Sequence, residues 1–118
     1  MTQDDEIWSI ERGFWLKGDD HMRTHTGETC IMIFPSPVGI LRDGNVFEGL
    51  KSAPRWDEVE ISDQVCQRLE PDAVLIAYKA RGERGGERYE AWFSSTYLKR
   101  PEGWRLYLYQ QTPIPHQA

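Results

Sequence analysis

"STYLKRPEGWRLYLYQQTP", residues 95–113, holds two strands and the turn between them. Apolar and polar residues alternate on both sides of Arg100-Pro101-Glu102-Gly103, the period of two that marks a half-buried strand. Proline has no N–H for a sheet ladder and glycine accepts turn geometry, so the break reads as a hairpin. Closing it there sets Leu106 opposite Tyr97, Leu108 opposite Ser95 and Gln110 opposite Phe93. One hairpin cannot bury a face by itself, so more strands must pack beside it.

They lie immediately upstream. Gly85-Gly86 and Glu70-Pro71-Asp72 are two more short breaks, and the strands they separate cover 57–69, 73–83, 87–99 and 103–112. Breaks this short join neighbours, which predicts an antiparallel meander. The second turn sets Tyr78 opposite Phe93, Ala80 opposite Ala91 and Ile76 opposite Ser95; the first sets Val65 opposite Ile76 and Asp63 opposite Tyr78. One face then carries Val59, Ile61, Val65, Val74, Ile76, Tyr78, Ala80, Ala91, Phe93, Leu106 and Leu108. A slip of one residue would turn Lys79, Arg81, Glu90 and Arg105 inward, so this face is the buried one unless a bulge intervenes.

Before Trp56 the period changes to that of helices. Residues 4–17 place Ile7, Ile10 and Phe14 on one stripe, flanked by Trp8 and Trp15, with Gly18 as a stop. A short helix is expected across His21 to Thr26, then a strand over "TCIMIF" at 29–34 and a brief one at Gly39 to Leu41. Asp43-Gly44 signals a turn, and "VFEGLKSA" reads as a helix from Val46, capped by Asn45 and ended before Pro54.

The composition excludes several functions. A net charge of −5 and a pI of about 5.2 offer no basic patch for phosphates, so no nucleic-acid partner is expected. No apolar run reaches the ~20 residues of a membrane span, and the acidic start has no signal-peptide pattern. A cytoplasmic protein of one domain, 1–118, with no membrane partner is the expectation. Cys30 and Cys66 are read as free thiols. "HMRTHTGETC", residues 21–30, spells the end of a zinc finger, but no cysteine pair precedes it, so no metal is expected. "KARGERGGER" is glycine-rich and basic, yet it lacks a strand-to-helix setting and reads as a solvated hairpin tip.

A helical first half followed by a long meander, with "IMIFPSPVGILRDG", "EISD" and the closing "STYLKRPEGWRLYLYQQTP", resembles the SnoaL-like, nuclear transport factor 2-like superfamily over residues 5–114. The resemblance implies an α+β fold: a cystatin-like cone, in which a curved antiparallel sheet carries the N-terminal helices on its concave face around a pocket. It also implies a homodimer formed through the outer face of the sheet. It does not assign chemistry, because this fold hosts isomerases, dehydratases, cyclases and binding proteins.

On the predicted register Asp63 is the acid of the inner face, in a row with Tyr78, Phe93 and Gln110. An apolar setting would raise its pKa and suit it to general-base chemistry; a purely self-satisfied aspartate is the alternative. Trp15, His21, Phe34, Trp56, Ser95 and Tyr97 complete the expected pocket. The outer face shows Trp92, Thr96, Arg105, Tyr107 and Tyr109, an aromatic patch with an arginine that suits a dimer interface. The leading expectation is a protein that binds a small apolar molecule without a cofactor. The alternative is an isomerase, cyclase or dehydratase-type enzyme with Asp63 as base.

Overall fold

The computed structural model describes residues 3–42, 44–50 and 55–115. Two helices, α1 (Gln3–Leu16) and α2 (Asp19–His25), lead into β1 (Thr26–Ile33). A short β2 (Ile40–Arg42) and α3 (Gly44–Leu50) follow. Then come β3 (Glu58–Glu70), β4 (Ala73–Arg84), β5 (Glu87–Arg100) and β6 (Gly103–Pro113). Asp43 and residues 51–54, where a turn and a helix stop were expected, lie outside the described residues.

The fold is α+β, with a curved, unclosed sheet of order β2-β1-β6-β5-β4-β3. The meander β3 to β6 is antiparallel, but β1 lies parallel to β6, so the sheet is mixed. A parallel pair needs a long crossover, and β2, α3 and the strands β3 to β5 supply it. The β4–β5 register matches the sequence reading, with Tyr78 opposite Phe93, Ala80 opposite Ala91 and Ile76 opposite Ser95.

The two outer hairpins differ from the expected pairing because each contains a bulge. In β3 the pairing jumps from Ser62↔Lys79 to Val65↔Ala77, so Asp63 and Gln64 face Tyr78 alone. Asp63 takes φ 53° there, a left-handed conformation that aspartate tolerates better than most residues. In β6 Thr96 pairs with Leu108 and Tyr97 with Leu106, leaving Tyr107 as the extra residue. Each bulge moves the alternation on by one residue. Cys66, not Val65, therefore packs on the core, and Val65 is 58% exposed. Tyr109 replaces Leu108 on the inner side and packs on the core.

α1 lies on the concave face with Ile7, Ile10, Glu11 and Trp15 buried. Their spacing of three and four residues gives a single stripe, and each apolar side chain so buried contributes about 2 kcal/mol relative to exposure. They meet Val74, Ile76, Tyr78, Phe93, Tyr97 and Leu106 of the sheet in one hydrophobic cluster. At one position the helix pair requires a glycine. A Cβ on Gly13 would stand 2.3 Å from the His21 ring, so α2 reaches this close to α1 only because that side chain is missing.

Candidate functional site

Two groups of side chains on the concave side carry polar chemistry. The first centres on Glu11, which has no exposed surface. Tyr78 donates a hydrogen bond to its carboxyl, Ser95 Oγ donates at 2.9 Å and Tyr97 Oη at 2.6 Å. These hydroxyls come from β4 and β5, on positions the two-residue period turns inward. Burial pushes the Glu11 carboxyl above its ordinary 4.5, against the opposing pull of the three hydroxyl donors. Burial also raises the Tyr78 and Tyr97 phenols well above 10, with the nearby Glu11 adding to the effect.

The second group surrounds a partly open cavity of about 430 Å³ between α1, α2, the loop after β1 and the β5–β6 ends. Its walls are mostly rings and sulfur: Phe14, Trp15, Met22, Met32, Phe34, Trp56, Tyr89 and Tyr109. Such a lining with few polar groups is what small-molecule sites present. Trp15 belongs to both groups, since its Nε1 donates to Tyr78 Oη at 3.3 Å while its ring lines the cavity. Trp15 and Trp56 converge on Gly82, where a Cβ would lie 2.9 Å from each indole. Trp56 stacks on Tyr89 with 14° between planes, and the Arg84 guanidinium covers it at 4.3 Å.

Polar atoms of the cavity wall form a short chain. Tyr89 Oη donates to Gln111 Oε1, and Gln111 Nε2 donates to Tyr109 Oη at 3.1 Å. At the rim Arg55 donates from Nε to the Lys17 carbonyl at 2.6 Å and stands 3.9 Å from Asp19. Arg88 pairs with Glu83 at 3.3 Å and Glu87 with Arg84 at 2.9 Å.

The sequence-derived site divides accordingly. Trp15, Phe34 and Trp56 line the cavity. Tyr78, Ser95 and Tyr97 bind Glu11 instead, and Phe93 packs edge-on against Trp15 at 4.9 Å. Asp63 requires correction: it still stands opposite Tyr78, but the left-handed bulge leaves its side chain exposed. Gln110 is likewise exposed, and the β6 bulge puts Gln111 in its place. His21 does not reach the cavity. Its Nε2 lies 2.9 Å from the Ile10 carbonyl and its ring packs on Phe14 and His25. Burial lowers the pKa of both histidines. Among the described residues no three His, Cys, Asp or Glu side chains form a metal-binding group.

On the outer face Trp92 is 48% exposed and Thr96 half-buried. Tyr109 also requires correction, having turned inward past the bulge. Tyr107 Oη accepts from Arg100 Nε at 2.9 Å and donates to Glu28 at 3.2 Å, while Arg105 bonds the Trp104 carbonyl at 3.0 Å. Cys30 is free and buried, its thiol pushed up to about 12 by burial. Cys66 is free and half-buried. No described helix is long and apolar enough to cross a membrane.

Glu11 escaped the sequence reading although a signal was present. Ile7, Glu11 and Trp15 are spaced by four, so an acid occupies a core position of an apolar stripe. Nothing in the alternation of β6 distinguished Gln111 from Gln110.

No protein-family model matches the chain, and no curated protein matches its sequence. Solved structures do. A Parabacteroides distasonis protein provisionally assigned as a ketosteroid isomerase superposes with TM-score 0.78 at 13% identity, over 92% of this chain and 85% of that one. A nuclear transport factor 2-like protein of Cytophaga hutchinsonii gives 0.77 at 17%, over 97% and 100%. The association domain of the Caenorhabditis elegans kinase CaMKII gives 0.74 at 13%, over 93% and 95%. The chain has the nuclear transport factor 2-like fold.

Proposed function

We propose that the protein binds a small, largely apolar molecule in the cavity under α1 and α2, and does so as a cytoplasmic homodimer. The carrying observation is the cavity itself: about 430 Å³ stays free of side chains although fourteen aromatic residues were available to fill it. Binding is favoured over an isomerase, cyclase or dehydratase reading by the position of the acids. Asp63, the expected base, is exposed on the bulge, and Glu11 is bonded to three hydroxyls outside the cavity lining. A general base needs a proton of the substrate within hydrogen-bond reach. Titration with the neutral fluorophore N-phenyl-1-naphthylamine tests the reading. Saturable one-site binding that Met32→Trp abolishes supports it, and no binding to the folded protein rejects it.

The homodimer reading rests on the outer face of the sheet. Ile31, Leu108, Thr96 and Leu75 stand in one cross-strand row, with Trp92 and Val65 nearby. Ile31 and Leu75 are 39% and 38% exposed, in an apolar row interrupted only by Thr96, and exposed apolar clusters mark interaction surfaces. The centre of the proposed interface is therefore Trp92, Leu75 and Leu108, with Tyr109 removed from it. Sedimentation at micromolar concentration checks this: the wild type runs as a dimer and Leu75→Glu with Trp92→Glu as a monomer. A monomeric wild type ends the idea.

A further inference from the structure

Resting on the reading of the cavity as a ligand site, we infer that its ligand carries an uncharged hydrogen-bond acceptor, such as an ester, amide or ether oxygen, seated against Tyr109 and Gln111. The argument is a count of protons. Tyr89, Gln111 and Tyr109 together offer four polar protons: one on each phenol and two on the amide. The two bonds within the chain, Tyr89 to Gln111 and Gln111 to Tyr109, use two of them. Among the described residues no other side-chain acceptor meets these three groups, so one phenol O–H and one amide N–H are left over. Reversing the amide exchanges which phenol keeps its proton and leaves the same surplus. All three residues line the cavity, so a ligand that displaces solvent from this wall must offer these protons an acceptor or leave them unpaired, which is costly. A ligand acceptor removes that cost.

The rim decides the charge of the acceptor. Arg88 and Glu87 pair with Glu83 and Arg84, and Arg55 is engaged by Asp19 and the Lys17 carbonyl. A carboxylate ligand would join guanidiniums whose charge Asp19, Glu83 and Glu87 already balance, or lie desolvated beside two neutral donors. An uncharged acceptor needs neither.

Three probes of similar shape test this: methyl 2-naphthoate, 2-propylnaphthalene and the 2-naphthoate anion. Affinities are measured by calorimetry and referred to transfer from cyclohexane, which removes the difference in hydrophobicity. The ester should then bind at least about tenfold better than the hydrocarbon, since the cost of taking its carbonyl out of water no longer offsets the hydrogen bond. Its infrared carbonyl band should shift to lower frequency on binding. Each single variant leaves a donor in place, so only Tyr89→Phe, Tyr109→Phe and Gln111→Leu combined should abolish the preference, with circular dichroism showing that the variant is folded. Equal binding of ester and hydrocarbon, tightest binding of 2-naphthoate, or an unshifted carbonyl band overturns the inference and leaves the cavity reading intact. If none of the three binds, the cavity reading fails and this inference goes with it.

Discussion

The Glu11 cluster and the cavity wall share one concave surface, draw on the same residue types and differ in one respect. Around Glu11 the polar side chains meet one another: three hydroxyls converge on one carboxyl, and Trp15 Nε1 closes on Tyr78. Around the cavity two phenols and an amide leave donors unspent. An acid buried among tyrosines looks like catalytic equipment, yet here it is the glue between helix and sheet. The plainer glutamine and tyrosines at the open end have capacity left for a ligand. Whether partners are already present decides a polar group's role more than its chemical identity does.

The strongest attempt to break this comparison is Glu11→Ala, which strands three buried hydroxyls. It should destabilise the fold by about 3 kcal/mol or more, measured by urea denaturation. A near-neutral result would mean that the cluster is not structural. Next comes Gly82→Val, whose side chain must displace the indoles of Trp15 and Trp56. Overpacking there should cost about 2 kcal/mol and weaken N-phenyl-1-naphthylamine binding, whereas Glu11→Gln should leave that binding unchanged.

The dependence on pH sharpens the contrast. Glu11 releases its proton at a higher pH in the folded chain than in the unfolded one, where 4.5 applies. The folded state thus binds more protons across that window, and its stability falls as pH rises from 4.5 through the raised value. Glu11→Gln should flatten that decline in denaturation series. His21 and His25 act in the opposite sense. Their lowered values make their contribution complete above 6.5 and lost as pH falls through the folded value, and this acid-side loss should persist in the glutamine variant. The smallest effect is expected at Asp63. Asp63→Gly relieves a left-handed conformation, so stability should rise by less than about 1 kcal/mol with probe binding unaltered. A loss of binding would return Asp63 to the site.

Much of this architecture was legible because it depends on local rules. Gly85-Gly86 and Arg100-Pro101-Glu102-Gly103 announced hairpins, and alternation assigned Ile76, Tyr78, Ala80, Ala91 and Phe93 to the core, where they lie. The stripe of α1 was equally plain. Asp63 and Gln110 failed for one reason. A bulge changes the phase of alternation without leaving a mark in it, since "EISDQVCQ" and "LYLYQQ" read equally well in either phase.

The sequence by itself determined the stripe of α1, the four strands of the meander with the turns between them and the central β4–β5 register, because each follows from neighbours along the chain. Tertiary structure alone decided which acid is buried and which amide faces the cavity. Glu11 meets hydroxyls 67, 84 and 86 residues away, and no local period encodes such a meeting. The bulges at Asp63 and Tyr107 let the curved sheet change phase under the helices, and that one-residue shift exchanges Gln110 for Gln111 at the cavity wall.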